Sequence, residues 1–252
     1  MNPTAYTAFI EEIRGNLEPH PEVLGLVVVG STANQSHAPD EWSDHDFALI
    51  TEPGHQARFR YQHDWLPQNS PICLAFQETE HSLKILYEDG HLIEFAVFDP
   101  EELNRLMVND YQVLIDRANI TAQMQGLARR GIEQSPQEAY LWGQLITHLL
   151  TGINRYRRGE KLSGHHFIKY HAISNFLELY ALKTTADKTK LDNLDSFRRY
   201  EQVFPEVAAE VNSLLVCEPL ETAQGLLQLV EKHLPDYPKG AIDCLRKVIG
   251  VV

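Results

Sequence analysis

The chain has 252 residues, of which 43% are hydrophobic and 23% charged, and 22 basic against 35 acidic side chains give a formal charge of −13. That length can bury the core of one large domain or two modest ones, and the composition excludes disordered, fibrous and repeat classes. The acidic balance disfavours non-specific binding to nucleic acid and favours cationic ligands. In chain order, "TAYTAFIEEIRGNL" at 4–17 carries Ala5, Phe9, Ile10, Ile13 and Leu17 at helical spacing. A β-branched run, "LGLVVVG" at 24–30, predicts a buried strand that ends on Gly30, and "HDFALIT" at 45–51 predicts another. Between Pro53 and Pro67, "GHQARFRYQHDWL" reads as a helix, and "ICLAFQ" at 72–77 as a strand. "SLKILYEDGHLIEFAVFD" at 82–99 reads as a hairpin, because two apolar runs flank the tight-turn pair Asp89-Gly90. Asp99-Pro100-Glu101-Glu102 signals a helix start, with Asp99 as the cap.

Beyond Asp99 no strand is expected. Ser135-Pro136-Gln137-Glu138 has the pattern of a capping box with proline in the first turn. It predicts a long helix to about Arg158, stopped by Gly159. A second helix is predicted from about His165 to Lys183, and two or three more after Asp195, Pro219 and Pro238. The shift in pattern predicts an α+β domain over 1–130, a small mixed β-sheet flanked by helices, and an all-helical bundle over 131–252. The boundary falls near "ARRGIEQSP" at 128–136.

Cys73, Cys217 and Cys244 stand far apart with no C-x-x-C pair, which argues against a disulfide framework or zinc ribbon and fits a reducing compartment. "MNPTAYTAFIEEIRG" lacks a basic region followed by an apolar stretch, and no window approaches the ~20 apolar residues of a membrane span. A cytoplasmic protein without a membrane partner is expected. There is no P-loop motif and no G-x-S-x-G elbow, and none of the twelve histidines forms H-x-x-x-H. The histidines are therefore read as structural or surface residues.

The chemistry concentrates in the first domain. Asp44 and Asp46 open a strand, so their carboxylates share one face about 7 Å apart and repel one another. A divalent cation removes that conflict, and hard carboxylate oxygens suit Mg²⁺, which completes its shell with phosphate and water. Gly30 and Ser31 close the preceding strand, where glycine permits a sharp turn whose N–H groups can face an anion. Glu94 is the one charge in "HLIEFAVF" and shares a face with Leu92, Ala96 and Phe98. On a core-facing strand such a carboxylate needs a metal, an arginine or open solvent. Trp42 either stacks on a base or acceptor or pins its own loop.

Gly30-Ser31 after a strand, "SDHDFALI" with Asp44 and Asp46, and Glu94 on a later strand together resemble the nucleotidyltransferase superfamily with the polymerase β-like catalytic domain. "DEWSDHDF" looks most like the aminoglycoside members, and the helical half with "RYRRGE" is similar to that of the antibiotic-modifying members, the aminoglycoside and lincosamide nucleotidyltransferases. The loop "TANQSHAPDEW" is longer than in many members and has no glycine. The resemblance implies Mg-dependent transfer of a nucleoside monophosphate, AMP from ATP, to a hydroxyl of a small acceptor such as an aminoglycoside. Asp44 and Asp46 would hold Mg²⁺, and Gly30 and Ser31 the β/γ-phosphates. Glu94 would be a third metal ligand or the general base. Further cations for the triphosphate would come from Arg155, Arg157, Arg158, Arg198, Arg199 or Lys169, and Lys169 is carried forward as a phosphate contact. Two alternatives stand beside this reading. One is a protein-AMPylating, antitoxin-type enzyme, against which the extra helical half argues. The other is a nucleotide-binding regulatory protein without catalysis.

Overall fold

The computed structural model describes residues 3–33, 38–40, 42–108, 110–133, 137–188, 190–192 and 195–250. The chain divides into two compact units, residues 1–134 and 135–252. The first opens with helix α1 (Pro3–Leu17), then strand β1 (Val23–Val29), a 3₁₀ turn (Gly30–Ala33) and β2 (His45–Thr51). Helix α2 (Gln56–Tyr61) precedes β3 (Ile72–Gln77), β4 (Ser82–Tyr87) and β5 (Leu92–Phe98). A 3₁₀ turn (Glu102–Arg105), β6 (Tyr111–Asp116) and α3 (Ile120–Glu133) complete the unit. The six strands form one mixed sheet in the order β3-β4-β5-β2-β1-β6. Only β2 and β5 run parallel, and the other neighbours are antiparallel. This is the α+β architecture, with a helical unit following, that the sequence predicts.

Strand alternation gives the sheet two buried faces. Leu26, Val28, Phe47, Leu49, Ile93, Phe95 and Val97 pack with Phe9, Ile10, Ile13 and Leu17 of α1. Val27, Ala48, Ile50 and Phe98 pack on the other side with Ile120, Met124 and Leu127 of α3. Asp46 and Glu94 belong by alternation to the α3 face, and His45 belongs to the α1 face. Within α1 the expected apolar stripe is buried except for Ala5, which is exposed; Tyr6 takes the buried place instead.

Three expectations are corrected. The helix between Pro53 and Pro67 is only Gln56–Tyr61, because Gln62 is already extended. Asp99 caps as expected, its Oδ1 accepting from the N–H groups of Glu101 and Glu102, but it starts a 3₁₀ turn rather than a helix. A strand does follow Asp99: β6 pairs with β1 along the far edge of the sheet. No glycine or proline separates residues 101–116, so the change of backbone has no local punctuation, and the pairing partner lies more than 80 residues away in sequence. Asp116 then caps α3, accepting from Ile120 and Thr121 N–H.

The second unit is helical in all its regular elements among the described residues: α4 (Glu138–Arg157), α5 (Lys161–His165), a π-helical segment (His166–Ala172), α6 (Ile173–Lys183), α7 (Tyr200–Val203), α8 (Pro205–Leu215), α9 (Pro219–His233) and α10 (Lys239–Gly250). Ser135 and Pro136 of the expected capping box lie outside the described residues. Gly159 ends α4 at φ +89°, a left-handed conformation that a side chain disfavours. Leu145, Leu149, Ile153, Ile168, Phe176, Leu226 and Val230 form the centre of this unit's core. Among the described residues no helix is long and apolar enough to cross a membrane.

Helices α4 and α5 meet closely at Gly164. A Cβ added there would lie 2.6 Å from Tyr156 Cβ and 2.9 Å from its Cα, so backbone must shift to admit even a methyl group. Gly164→Ala is therefore expected to lower the stability of the second unit by about 1–3 kcal/mol, read by urea unfolding, although alanine is the better helix former. Unchanged stability would contradict the close approach.

Candidate active site

The site begins where α1 meets the head of β2. The Tyr6 side chain is buried, and its ring stacks on His45 with centroids 3.7 Å apart. The Tyr6 hydroxyl donates to the Asp44 carbonyl at 2.5 Å. It has one proton to give, so the Thr32 hydroxyl, 2.7 Å away, donates to it. Thr32 Oγ1 in turn accepts from the Asp46 N–H at 3.1 Å. One tyrosine and one threonine thus tie the turn after β1 to both ends of Asp44-His45-Asp46. Burial raises the Tyr6 phenol above its ordinary value, against the lowering effect of Ser31 and Thr32, and the nearby Asp46 and Asp44 push the same way as burial. It remains a neutral donor.

His45 is the residue the sequence reading passes over. Its side chain is fully buried beneath the two aspartates. Its Nε2–H donates to the Tyr6 carbonyl at 2.9 Å, so its Nδ1 is the acceptor for His91 Nε2–H at 2.7 Å. Desolvation lowers the His45 pKa to about 4, with the His91 ring pushing the same way, and the imidazole stays neutral. Strand alternation held the clue: a residue between two solvent-side aspartates points at the core, where a histidine needs two partners.

The carboxylates stand on the opposite face. Asp46 of β2 is in register with Glu94 of β5, and Glu94 is in register with Lys84 of β4. Lys84 Nζ bonds Glu94 Oε1 at 2.9 Å and Glu78 Oε1 at 3.1 Å. The sequence asks for a metal, an arginine or open solvent at Glu94; the structure supplies a lysine. The face of Glu94 is half-open, and its partner lies directly across the strand pair. Asp44 immediately precedes β2, two residues before Asp46. Gly30 opens the turn at φ +58°, and a Cβ built on it would lie 3.5 Å from Asp46 Oδ2. Glycine therefore keeps a side chain away from that carboxylate as well as making the turn. Its N–H donates to the Asp110 carbonyl. Ser31 is buried with its hydroxyl 3.4 Å from that of Tyr6.

A cavity of about 460 Å³ adjoins Asp44, lined also by Trp42, Ser43, Asp89, Gly90, His91 and Leu92. Trp42 is 86% exposed, so its ring does not pin the loop. Asp40 does that, accepting from the Trp42 N–H and the Ser43 hydroxyl. Among the described residues no three His, Cys, Asp or Glu side chains gather closely enough to hold a metal ion. The arrangement fits a cation held by two aspartates that takes its remaining ligands from a bound phosphate and water.

The basic residues proposed for the triphosphate lie in the second unit and have other partners. Lys169 Nζ donates to the Leu215 carbonyl at 2.9 Å and to the Cys217 carbonyl, at the end of α8. Arg157 donates to the carbonyls of Val248 and Ile249 in α10. Arg155 donates to Ser163 and lies over the Phe167 ring. Arg198 and Arg199 pair with Asp192.

The profile of the streptomycin adenylyltransferase family matches residues 7–140, which contain Gly30, Ser31, Thr32, Asp44, His45, Asp46 and Glu94 but not Tyr6. No curated protein matches the chain. Among solved structures, an aminoglycoside 6-adenyltransferase from Bacillus subtilis is similar at 12% identity over 97% of both chains, with a TM-score of 0.38. A STING-associated CdnE c-di-GMP synthase from Capnocytophaga granulosa is similar at 13% identity over 98% of this chain and 80% of that one, with a TM-score of 0.32. The CD-NTase CdnG from Bradyrhizobium diazoefficiens, solved with GTP, is similar at 12% identity over 98% and 95%, with a TM-score of 0.28. These distant likenesses add nothing to the family match.

The buried neutral His45 makes a signed prediction. Its folded pKa lies below its unfolded value near 6.5, so the unfolded chain binds the proton first and stability falls as pH drops from about 6.5 toward 4. Between pH 7 and pH 5 this group alone is expected to remove about 2 kcal/mol from the unfolding free energy of the first unit. Urea unfolding at the two pH values measures it, and His45→Gln is expected to flatten the difference. An equally steep loss in that variant would contradict the assignment.

Proposed function

Because the chain belongs to the streptomycin adenylyltransferase family and is a nucleotidyltransferase, we propose that it transfers AMP from ATP to a hydroxyl of a small cationic acceptor of the aminoglycoside class, with Mg²⁺ held by Asp44 and Asp46. The observation that carries this reading is the meeting of three strands at one point. The side-chain-free turn at Gly30 faces Asp46 Oδ2, and Asp46 is in register with Glu94.

Each residue then has a task its position supports. Asp44 and Asp46 supply hard oxygens on one strand face, and the Tyr6–Thr32 hydrogen bonds keep that strand head from moving apart under their mutual repulsion. When bound there, Mg²⁺ supplies charge neutralisation to the triphosphate and its leaving pyrophosphate. Gly30 lets a phosphate approach the turn without a side chain in the way, and Ser31 follows it in the same turn. Glu94, in the same row, accepts the proton of the acceptor hydroxyl as that oxygen attacks the α-phosphorus in line. No covalent intermediate on the chain is needed, since transfer rests on positioning and charge. The cavity beside Asp44 presents Asp89 and the exposed Trp42 ring, a carboxylate and an apolar face, which suits an aminated sugar. Lys169 is given no phosphate, because its ammonium serves the end of α8.

The test is incubation with ATP, Mg²⁺ and a panel of aminoglycosides and lincosamides, with mass spectrometry of the acceptor. A mass gain of one nucleoside monophosphate on an aminoglycoside is expected, with release of pyrophosphate. Asp44→Asn and Asp46→Asn are each expected to lower kcat at least about a hundredfold with the fold intact, and a chelator to abolish transfer in the wild type. Full activity in either variant would contradict the two-carboxylate site. Tight ATP binding without transfer to any acceptor would favour a regulatory nucleotide-binding protein.

A further inference from the structure

Among the described residues, Lys84 pairs with Glu94 in the row of proposed catalytic carboxylates on the sheet. Three residues in register on three adjacent strands form that row: Lys84 on β4, Glu94 on β5 and Asp46 on β2. The ammonium is shared, 2.9 Å from Glu94 Oε1 and 3.1 Å from Glu78 Oε1, and Glu78 lies just beyond the end of β3 on the side away from Asp46. Lys84 thus has one carboxylate partner inside the row and one outside it.

We propose that Lys84 is a built-in counter-ion of the metal-free site, which neutralises Glu94 beside Asp46 until a divalent cation binds and then retires onto Glu78. The inference rests on the reading that Asp44 and Asp46 hold the metal. The physical argument is charge balance. Glu94 and Asp46 are lateral neighbours on parallel strands about 4.8 Å apart, where like charges repel. One ammonium on Glu94 relieves that repulsion. A divalent cation at Asp46 relieves it more strongly and repels the ammonium. Glu78 gives the lysine a place to go without losing all of its pairing, so exchange costs little. Lys84 is a positioning residue in this scheme: it sets where the Glu94 carboxylate lies and acts only through it. The side chains of the pair are 26% and 34% exposed, so water can attend the exchange. The arrangement also explains a lysine where an apolar strand presents its half-open side, since Leu83, Ile85 and Tyr87 of the same strand are all buried.

The experiment is titration of the nucleotide-free protein with Mn²⁺, followed by calorimetry and by the shift in Tm, on wild type, Lys84→Met, Lys84→Arg, Glu78→Gln and Asp46→Asn. In Lys84→Met the metal-free Tm is expected to fall, and Mn²⁺ to bind roughly fivefold tighter than in wild type because the lysine no longer competes. Lys84→Arg is expected to keep wild-type values. Glu78→Gln is expected to weaken Mn²⁺ binding, because the lysine has lost its second partner. Unchanged or weaker Mn²⁺ binding in Lys84→Met, with wild-type binding that Asp46→Asn abolishes, would overturn the counter-ion role while leaving the metal site standing. Wild-type binding that Asp46→Asn leaves untouched would overturn the metal site itself, and the counter-ion role with it.

Discussion

The site depends on holding two aspartates side by side at the head of a strand that is paired there on one edge only, by β5. Asp44 and Asp46 repel one another where β2 is paired by β5 but no ladder partner from β1 reaches beyond Phe47. Tyr6 holds this end from the helix side. Its ring lies on His45, its carbonyl holds His45 Nε2, and its hydroxyl holds the Asp44 carbonyl while accepting from Thr32. Thr32 closes the knot by taking the Asp46 N–H. All the polar groups involved are buried or half-buried and satisfied by one another, which is the condition for such a network to stabilise rather than cost. The two faces of one strand divide the labour: the core face is clamped by uncharged groups, and the other face is left with the acids.

That division explains why a fully buried histidine separates the aspartates. A leucine there would fill the core but lose the hydrogen bonds to the Tyr6 carbonyl and to His91 Nε2. A charged residue would add a third charge beneath two. A histidine kept neutral by burial does neither, and its hydrogen bonds fix the orientation of α1 over the sheet. The head of β2 is consequently presented as part of a paired strand.

Much of this was legible in the sequence. The glycine that ends β1, the alternation that places Asp44 and Asp46 on one side, and the isolated Glu94 each carry a local physical signature, and the β4–β5 turn announces itself through Asp89-Gly90. What escaped was non-local. Tyr6 reads as one more residue of an amphipathic helix until α1 is laid across β2. Lys84 reads as a solvent-facing strand residue until the antiparallel register sets it opposite Glu94. β6 escaped because no glycine or proline precedes or follows it closely and its partner is β1. The basic residues of the helical half misled in the other direction. Lys169 and Arg157 look available in the sequence, yet each is engaged by backbone carbonyls brought near by helices distant in the chain.

The account stands on one claim, that the Gly30 turn and the head of β2 form a single metal–phosphate site. A crystal structure with a non-hydrolysable ATP analogue and Mn²⁺ tests it most directly through the anomalous signal of the metal. The account predicts one Mn²⁺ peak in contact with carboxylate oxygens of Asp44 and Asp46, with triphosphate oxygens completing its shell over Gly30 and Ser31. A nucleotide bound away from that turn, or Mn²⁺ held without either aspartate, would contradict it.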